Sequence, residues 1–300
     1  MPRRIRSFLA IVALAVGTLL TAGTVNAGAA DISTGPEHPA LSLRVVTYNI
    51  LHGAGEDGVF DPARTAAVLE QLDADVIGLN EVDVHWSDRS DFLDEANYFA
   101  RELHMYAYFG PIYDLPPLST GAPDRLYGEA ILSRYPIVHE VNHDITRLST
   151  QVPDPVPAPA PGFPEIVIAA PGGPIHVYTT HLDYRGDPSV RELQVADTLR
   201  ILGADPRRTI LTGDFNATPA APELQPLWTE LVDALGATTN AGQLTYPADD
   251  PVQRIDYVAV SPDIGVLDGF VPDIEIDGVQ ASDHRPVVVD LSVPLGQAGS

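Results

Sequence analysis

Six short polar clusters, each beside an apolar run, punctuate this chain between Thr47 and Pro286. They are Thr47-Tyr48-Asn49-Ile50, Leu79-Asn80-Glu81-Val82, Thr180-His181-Leu182-Asp183, Gly213-Asp214-Phe215-Asn216, Arg254-Ile255-Asp256-Tyr257 and Ser282-Asp283-His284-Arg285-Pro286. Polar and charged groups placed against apolar runs are costly to bury unless they pair or hold a cation. Asn49, Glu81, His181 and Asp214 follow the ends of apolar runs. Asp256 and Asp283-His284 stand at the starts of others. If the later strands run antiparallel to the earlier ones, all six clusters reach one edge of the sheets. A set of carboxylates, imidazoles and amides gathered there can hold a hard divalent cation and move protons beside it. Such equipment suits phosphate-ester cleavage, a reaction dominated by positioning and charge neutralisation.

The elements between the clusters read as mixed α/β. Leu43 to Tyr48 is apolar and β-branched and predicts a strand. Asp61-Pro62 has the form of an N-cap followed by Pro at the first helical position, opening a helix to Leu72. Asp75 to Leu79 predicts a strand ending at Glu81. Phe92, Ala96, Phe99, Ala100 and Leu103 fall at helical spacing over Asp91 to Leu103. Ala130 to Ser133 predicts a short strand, and Ile166 to Ala169 with Ile175 to Thr180 a hairpin about Pro171-Gly172-Gly173-Pro174. Asp187-Pro188 opens a helix to about Leu202. Thr209 to Thr212, Ile255 to Val260 and Pro286 to Leu291 predict the last strands. Strands mixed with helices and a hairpin indicate sheets that are not purely parallel.

Val152 to Pro164 carries Pro at 153, 155, 157, 159, 161 and 164. Such a run is expected to form an extended loop rather than join a sheet interior. A domain linker is the competing reading. The clusters lie on both sides of it, so 31–300 is expected to be one domain with 152–164 as an insertion.

Residues 1–30 have the pattern of a secretory signal peptide. Arg3, Arg4 and Arg6 precede an apolar stretch from Phe8 to Leu20, and Val25-Asn26-Ala27 is the best cleavage signature. An uncleaved anchor is the alternative, but the apolar stretch is short for a span. Export is therefore expected, with no transmembrane segment after processing. Losing three arginines would take the formal charge from −24 to about −27. All 17 basic residues are Arg. The absence of Lys excludes Schiff-base and phosphate-loop lysine chemistry. The absence of Cys excludes disulfides, thiol nucleophiles, thiolate zinc sites and lipid anchoring through a cysteine.

With Gly128-Glu129-Ala130-Ile131-Leu132-Ser133-Arg134 between the second and third clusters, the chain resembles the endonuclease/exonuclease/phosphatase superfamily. The resemblance runs from Leu41 to about Leu291 in the family's order. It implies a four-layer sandwich, two mixed β-sheets face to face with helices on both outer faces, and metal-dependent hydrolysis of phosphoesters. Glu81 is the first candidate metal ligand, with the Asn49 amide oxygen beside it. Hard oxygen donors favour Mg²⁺, Mn²⁺ or Ca²⁺ over zinc. His284 is the candidate general base. By resemblance, Asp283 is a metal ligand or orients His284, and His181 steadies a phosphoryl oxygen or protonates the leaving group. Glu129 would pair with His181, as in pancreatic-type deoxyribonucleases, and raise its pKa. Asp214 and Asn216 are expected to position the nucleophile and hydrogen-bond the developing oxyanion or hold a second metal. Asp256 is expected to orient that pair, with an ion pair to Arg254 as the alternative.

For Arg185 and Arg191 a solvated helix face is favoured over contact with substrate phosphate, and for Trp86 and Trp228 packing is favoured over membrane contact. A phosphodiester of lipid, small-molecule or nucleic-acid origin is the expected substrate class. The acid excess disfavours nucleic acid. A hairpin at Ile112 to Leu118 is a candidate membrane-docking element. A monomer is expected. The competing class is a secreted binding or toxin-like module without turnover.

Overall fold

The computed structural model describes residues 39–295, so the leader expected at 1–30 lies outside the described residues. The strands in chain order are β1 (Ala40–Asn49), β2 (Val76–Val84), β3 (Tyr106–Leu115), β4 (Arg125–Ser133), β5 (Ile137–Arg147), β6 (Ala158–Ala170), β7 (Gly173–His181), β8 (Thr209–Asp214), β9 (Val232–Asp233), β10 (Asp256–Val260), β11 (Gly265–Phe270), β12 (Glu275–Ile276), β13 (Val279–Gln280) and β14 (Val287–Pro294). The α-helices are α1 (Pro62–Leu72), α2 (Glu95–Glu102), α3 (Ser189–Leu202) and α4 (Gln225–Glu230).

Two six-stranded sheets result, ordered β11-β14-β1-β2-β4-β3 and β5-β6-β7-β8-β10-β9. Both are mixed. β1 pairs in parallel with β2, and β7 with β8, whereas β14 lies antiparallel to β1 and β10 to β8. The ends of β1, β7 and β8 therefore meet the starts of β10 and β14 at one edge. The register places Asp256 opposite Asp214, and His181 beside Asp214.

Three apolar layers separate the elements. Strand residues alternate between faces, and the alternation is visible in β1 and β14. Val45, Val287 and Val289 point into the layer between the sheets, with Ile131, Ile168, Val177 and Val258. Val46 and Val288 point outward onto Leu69, Leu72 and Phe99 of α1 and α2. On the far side, Val195 of α3 and Leu227 of α4 cover Leu211, Phe215 and Tyr257. Each fully buried Val, Leu or Ile contributes about 1.5–3 kcal/mol, so a chain without cysteine holds together on this burial.

Local signals set several boundaries. α1 starts as expected, with Asp61 Oδ1 accepting from the Arg64 N–H at 3.1 Å and Pro62 in the first turn. α2 is shorter than the periodicity implied. Asp94 caps it by accepting from the Asn97 N–H at 3.0 Å, and Asp91 and Phe92 have left-handed φ of 50° and 52°. β2 does not stop at Leu79. It runs to Val84 through an irregularity between Leu79 and Val82, with Glu81 at φ 60°. Ile112 to Leu115 forms the end of β3 and pairs antiparallel with the start of β4 at Arg125 to Tyr127, so the segment considered at Ile112 to Leu118 is the outgoing arm of the β3–β4 hairpin.

The proline-rich run is also partly strand. From Ala158 onward it pairs with β5, and pairing with β7 begins only at Glu165. Pro159, Pro161 and Pro164 thus occupy the stretch of β6 with one neighbour, where a missing N–H costs no ladder bond.

The two sheets approach closely at Gly78 of β2, where a Cβ would collide with the Thr212 hydroxyl of β8. Gly78→Val should lower stability by about 2 kcal/mol or more in urea denaturation, because the core cannot absorb the added volume. Unchanged stability would show that the sheets are not packed this tightly.

Candidate active site

All nine side chains singled out above converge on one edge, and they arrive from different sheets. Asn49, Glu81, Glu129, Asp283 and His284 come from β1, β2, β4 and the approach to β14. His181, Asp214, Asn216 and Asp256 come from β7, β8, the turn after β8, and β10. A cavity of about 810 Å³ is lined by Glu81, His181, Asp214, Asn216, Asp283 and His284. Asn49, Glu129 and Asp256 are buried beneath them.

The centre is a line of alternating charges. His284 Nδ1 lies 2.9 Å from Asp256 Oδ2, and its Nε2 lies 3.6 Å from Asp214 Oδ2. His181 Nε2 reaches the same Asp214 oxygen at 3.5 Å. Burial works against charge on His284, but Asp256 and Asp214 outweigh it and push its pKa up to about 10. Burial likewise opposes the charge on His181, and Asp214 and Glu129 raise its pKa. His284 therefore holds its proton at neutral pH while the surrounding carboxylates are unneutralised, and the same field strengthens the hold of His181 on its own. Burial raises the Asp214 pKa, against the pull of His284.

Several expected pairings change. Arg254 does not pair with Asp256. It holds Asp233 through two hydrogen bonds of 2.9 and 2.6 Å and stacks over Tyr257. Asp256 is thereby free to orient His284, which Asp283 does not do. The Asp214–Asn216 pair is instead set by local bonds: the Asn216 N–H donates to Asp214 Oδ1 at 2.8 Å, and Asn216 Nδ2 to Leu182 O at 3.0 Å. Glu129 Oε1 stands 3.9 Å from His181 Nδ1, an ion-pair separation rather than a hydrogen bond. Burial pushes the Glu129 pKa up to about 7. Asn49 presents its amide N–H₂ to the site, donating to Glu81 Oε1 at 3.1 Å and Asp214 Oδ2 at 3.2 Å, while its oxygen accepts from the Leu51 N–H. It bridges two carboxylates as a donor and does not offer the oxygen expected of a ligand.

The donor set fits a hard cation at Glu81 and Asp283. Both are half-buried and line the cavity. Burial raises the Asp283 pKa and the nearby Glu81 raises it further, against His284. Neither carboxylate has an arginine partner among the described residues. Asp214, Asp256 and His284 form a second group with ligand atoms within 4.8 Å of one another. There an imidazole already sits between the carboxylates, so the Glu81–Asp283 pair has the greater need of a cation.

Four contributors were not legible beforehand. Asn80 is fully buried. Its Nδ2 donates to Glu129 and, at 3.0 Å, to Thr180 O, and its Oδ1 accepts from the Asp214 N–H at 3.0 Å. It lies in the second cluster, but only the inter-sheet packing reveals its partners. Tyr246 packs on His284 with ring centroids 4.7 Å apart. Trp86 lines the cleft as well as packing on Tyr127. Arg147 lines it too. Of the arginines read as a helix face, Arg185 precedes α3 and lines the cleft, whereas Arg191 is buried against Glu223. Trp228 packs on Phe215 and Tyr257, as expected.

A two-sheet sandwich with carboxylates and imidazoles at one edge defines a class of hydrolytic scaffold. The sequence matches the model of the Endonuclease/Exonuclease/phosphatase family over residues 46–284, and the chain belongs to that family. Such a family is one of phosphoester hydrolases. Comparison with curated proteins returned no match. Among solved structures, an endonuclease/exonuclease/phosphatase from Beutenbergia cavernae is 26% identical over 86% of this chain and 72% of its own, with a TM-score of 0.64. The fold alone is shared with a mannosyl-6-phosphatase of Bacteroides thetaiotaomicron (20% identity, 83% of this chain, 99% of that one, TM-score 0.59). The same holds for the human Nocturnin catalytic domain (20% identity, 85% and 97%, TM-score 0.58).

Asn80→Ala would leave the Asp214 N–H and Glu129 without their buried partner. It should cost about 2–3 kcal/mol in denaturant melts and reduce hydrolysis at least about tenfold. Wild-type stability in this variant would show that the bridge is dispensable.

Proposed function

We propose that this chain is an exported hydrolase of small phosphodiesters that works with a bound divalent cation. The observation that carries the reading is that His284 and His181, from opposite sheets, approach one Asp214 oxygen at 3.6 and 3.5 Å in the cavity that also holds Glu81 and Asp283.

His284 acts as the base. Asp256 holds its Nδ1 and so fixes Nε2 toward the cavity, where it takes the proton of the attacking water. Its raised pKa means the base form needs the neighbouring negative charge offset. Glu81 and Asp283 would hold the cation, which supplies charge neutralisation at the phosphoryl oxygens. Asp214 and Asn216 position the water and the developing oxyanion. His181, whose proton affinity Asp214 and Glu129 raise, donates to the departing oxygen.

A diester is favoured by the extent of the cleft. The packed rings of Trp86, Tyr113 and Tyr127 line it, as do Leu182, Tyr184 and Arg185, which is more surface than one phosphoryl group needs. The cavity volume suits a small molecule, and the acidic chain disfavours a nucleic-acid polyanion. Export follows from the leader pattern, and the absence of lysine and cysteine leaves the proposed water-activation route intact. Among the described residues no helix is long and apolar enough to cross a membrane.

Purified protein should hydrolyse bis-p-nitrophenyl phosphate with Mg²⁺ or Mn²⁺ and stop on chelation. His284→Ala should lower kcat by about 10²–10⁴-fold. Full activity in chelator, or in His284→Ala, would contradict the cation and the base respectively.

A further inference from the structure

One cationic side chain faces the cleft without an anion. The chain has 17 Arg against 41 Asp and Glu, so a carboxylate should be in easy reach of any arginine. The other two arginines that line the cavity obey this: Arg89 closes on Asp83 and Arg185 on Asp183. Arg147, the last residue of β5, lines the same cavity and makes no ion pair among the described residues. The carboxylates whose field reaches it are engaged elsewhere. Glu129 accepts from Asn80, and Asp183 closes on Arg185. A desolvated charge without a counter-ion is destabilising, so its retention calls for an explanation.

The guanidinium is held by backbone carbonyls instead. Nε donates to Pro161 O at 2.9 Å, Nη2 to Gly162 O at 2.6 Å and Nη1 to His181 O at 3.2 Å. Guanidinium has five N–H donors, so one N–H on each Nη is left over. The proline-rich segment builds this seat. Pro161 has no N–H of its own, and Gly162 sits at φ 113°. A Cβ at Gly162 would collide with Ile112 and stand 3.0 Å from Arg147 Nη2, so glycine is what lets β6 approach the guanidinium.

We infer that Arg147 is an anion seat for the substrate, its two remaining N–H groups taking non-bridging oxygens of the phosphoryl group beside His181. The inference rests on the phosphoester reading and adds a binding residue to it. Three carbonyls fix the fork, and a fixed fork matches two phosphate oxygens, whereas a lysine ammonium would supply only a point charge.

The test is a calorimetric titration with inorganic phosphate, cation-free and Mg²⁺-loaded, on wild type, Arg147→Met and Arg147→Lys. Steady-state hydrolysis of bis-p-nitrophenyl phosphate runs in parallel. Arg147→Met should weaken phosphate about 10- to 100-fold and raise KM more than it lowers kcat. Arg147→Lys should restore part of the affinity. Thermal melts establish that each variant is folded at the assay temperature. If Arg147→Met is not, Arg147→Lys decides, with phosphate roughly fivefold or more weaker than wild type expected. Unchanged phosphate affinity and KM in a folded variant would overturn the seat while leaving the hydrolase reading intact. Phosphate binding that depends on Arg147 in a protein that hydrolyses no ester would support the seat and overturn the hydrolase reading.

Discussion

The site depends on buried polar bridges between the two sheets, and Asn80 makes the most bonds among them. Asn80 leaves the first sheet and hydrogen-bonds the Thr180 carbonyl and the Asp214 N–H of the second, while holding Glu129 of its own sheet. Apolar burial between the sheets is strong but not directional. It can hold two sheets together without fixing how far one slides over the other. Asn80 supplies that direction, and Gly78, two residues earlier, lets the backbones come close enough for it to reach. Together with the Asn49 bond to Asp214, the Asn80 bridge ties Asp214 to the first sheet, from whose edge His284 arrives.

Electrostatics then explains why this edge is a site and not merely a polar seam. Carboxylates from both sheets outnumber the imidazoles between them. The pKa values of both histidines rise in response, and those of Asp283 and Glu129 rise with them. A protein in that condition is poised for a cation, because neutralising Glu81 and Asp283 would relieve both their mutual repulsion and the excess proton affinity of His284. The same logic makes Arg147 informative. In a chain this acidic, a cleft arginine bound only to carbonyls keeps its charge available for something that arrives from solution.

Much of this was legible in the residues, and the rest was hidden for identifiable reasons. The ends of β1, β7 and β8, the Asp61-Pro62 helix start and the hairpin at Pro171 to Pro174 depend on short-range chemistry and are found close to where expected. The convergence of Asn49, Glu81, His181, Asp214, Asp256 and His284 followed from the direction of their strands, which the family resemblance supported. What failed depended on long-range partners. Neighbourhood in sequence offered an Arg254–Asp256 ion pair as the alternative reading, and only the fold shows that Asp233 on the adjacent strand captures that arginine. The irregularity that places Glu81 inside β2 has no marker in Leu79-Asn80-Glu81-Val82. Pro159 and Pro161 argued against a strand, because the sequence does not reveal that this half of β6 has only one neighbour. Asn80 was one letter of a recognised cluster, yet its role needs two partners a hundred or more residues away.

The most direct test of the account is the position of the cation. Crystals equilibrated with Mn²⁺ and measured at its absorption edge would show it by anomalous scattering. The account places the peak within coordinating distance of Glu81 and Asp283, with His284 still hydrogen-bonded to Asp256. A peak seated instead among Asp214, Asp256 and His284, with the imidazole as a ligand, would contradict it, because His284 could not then serve as the base.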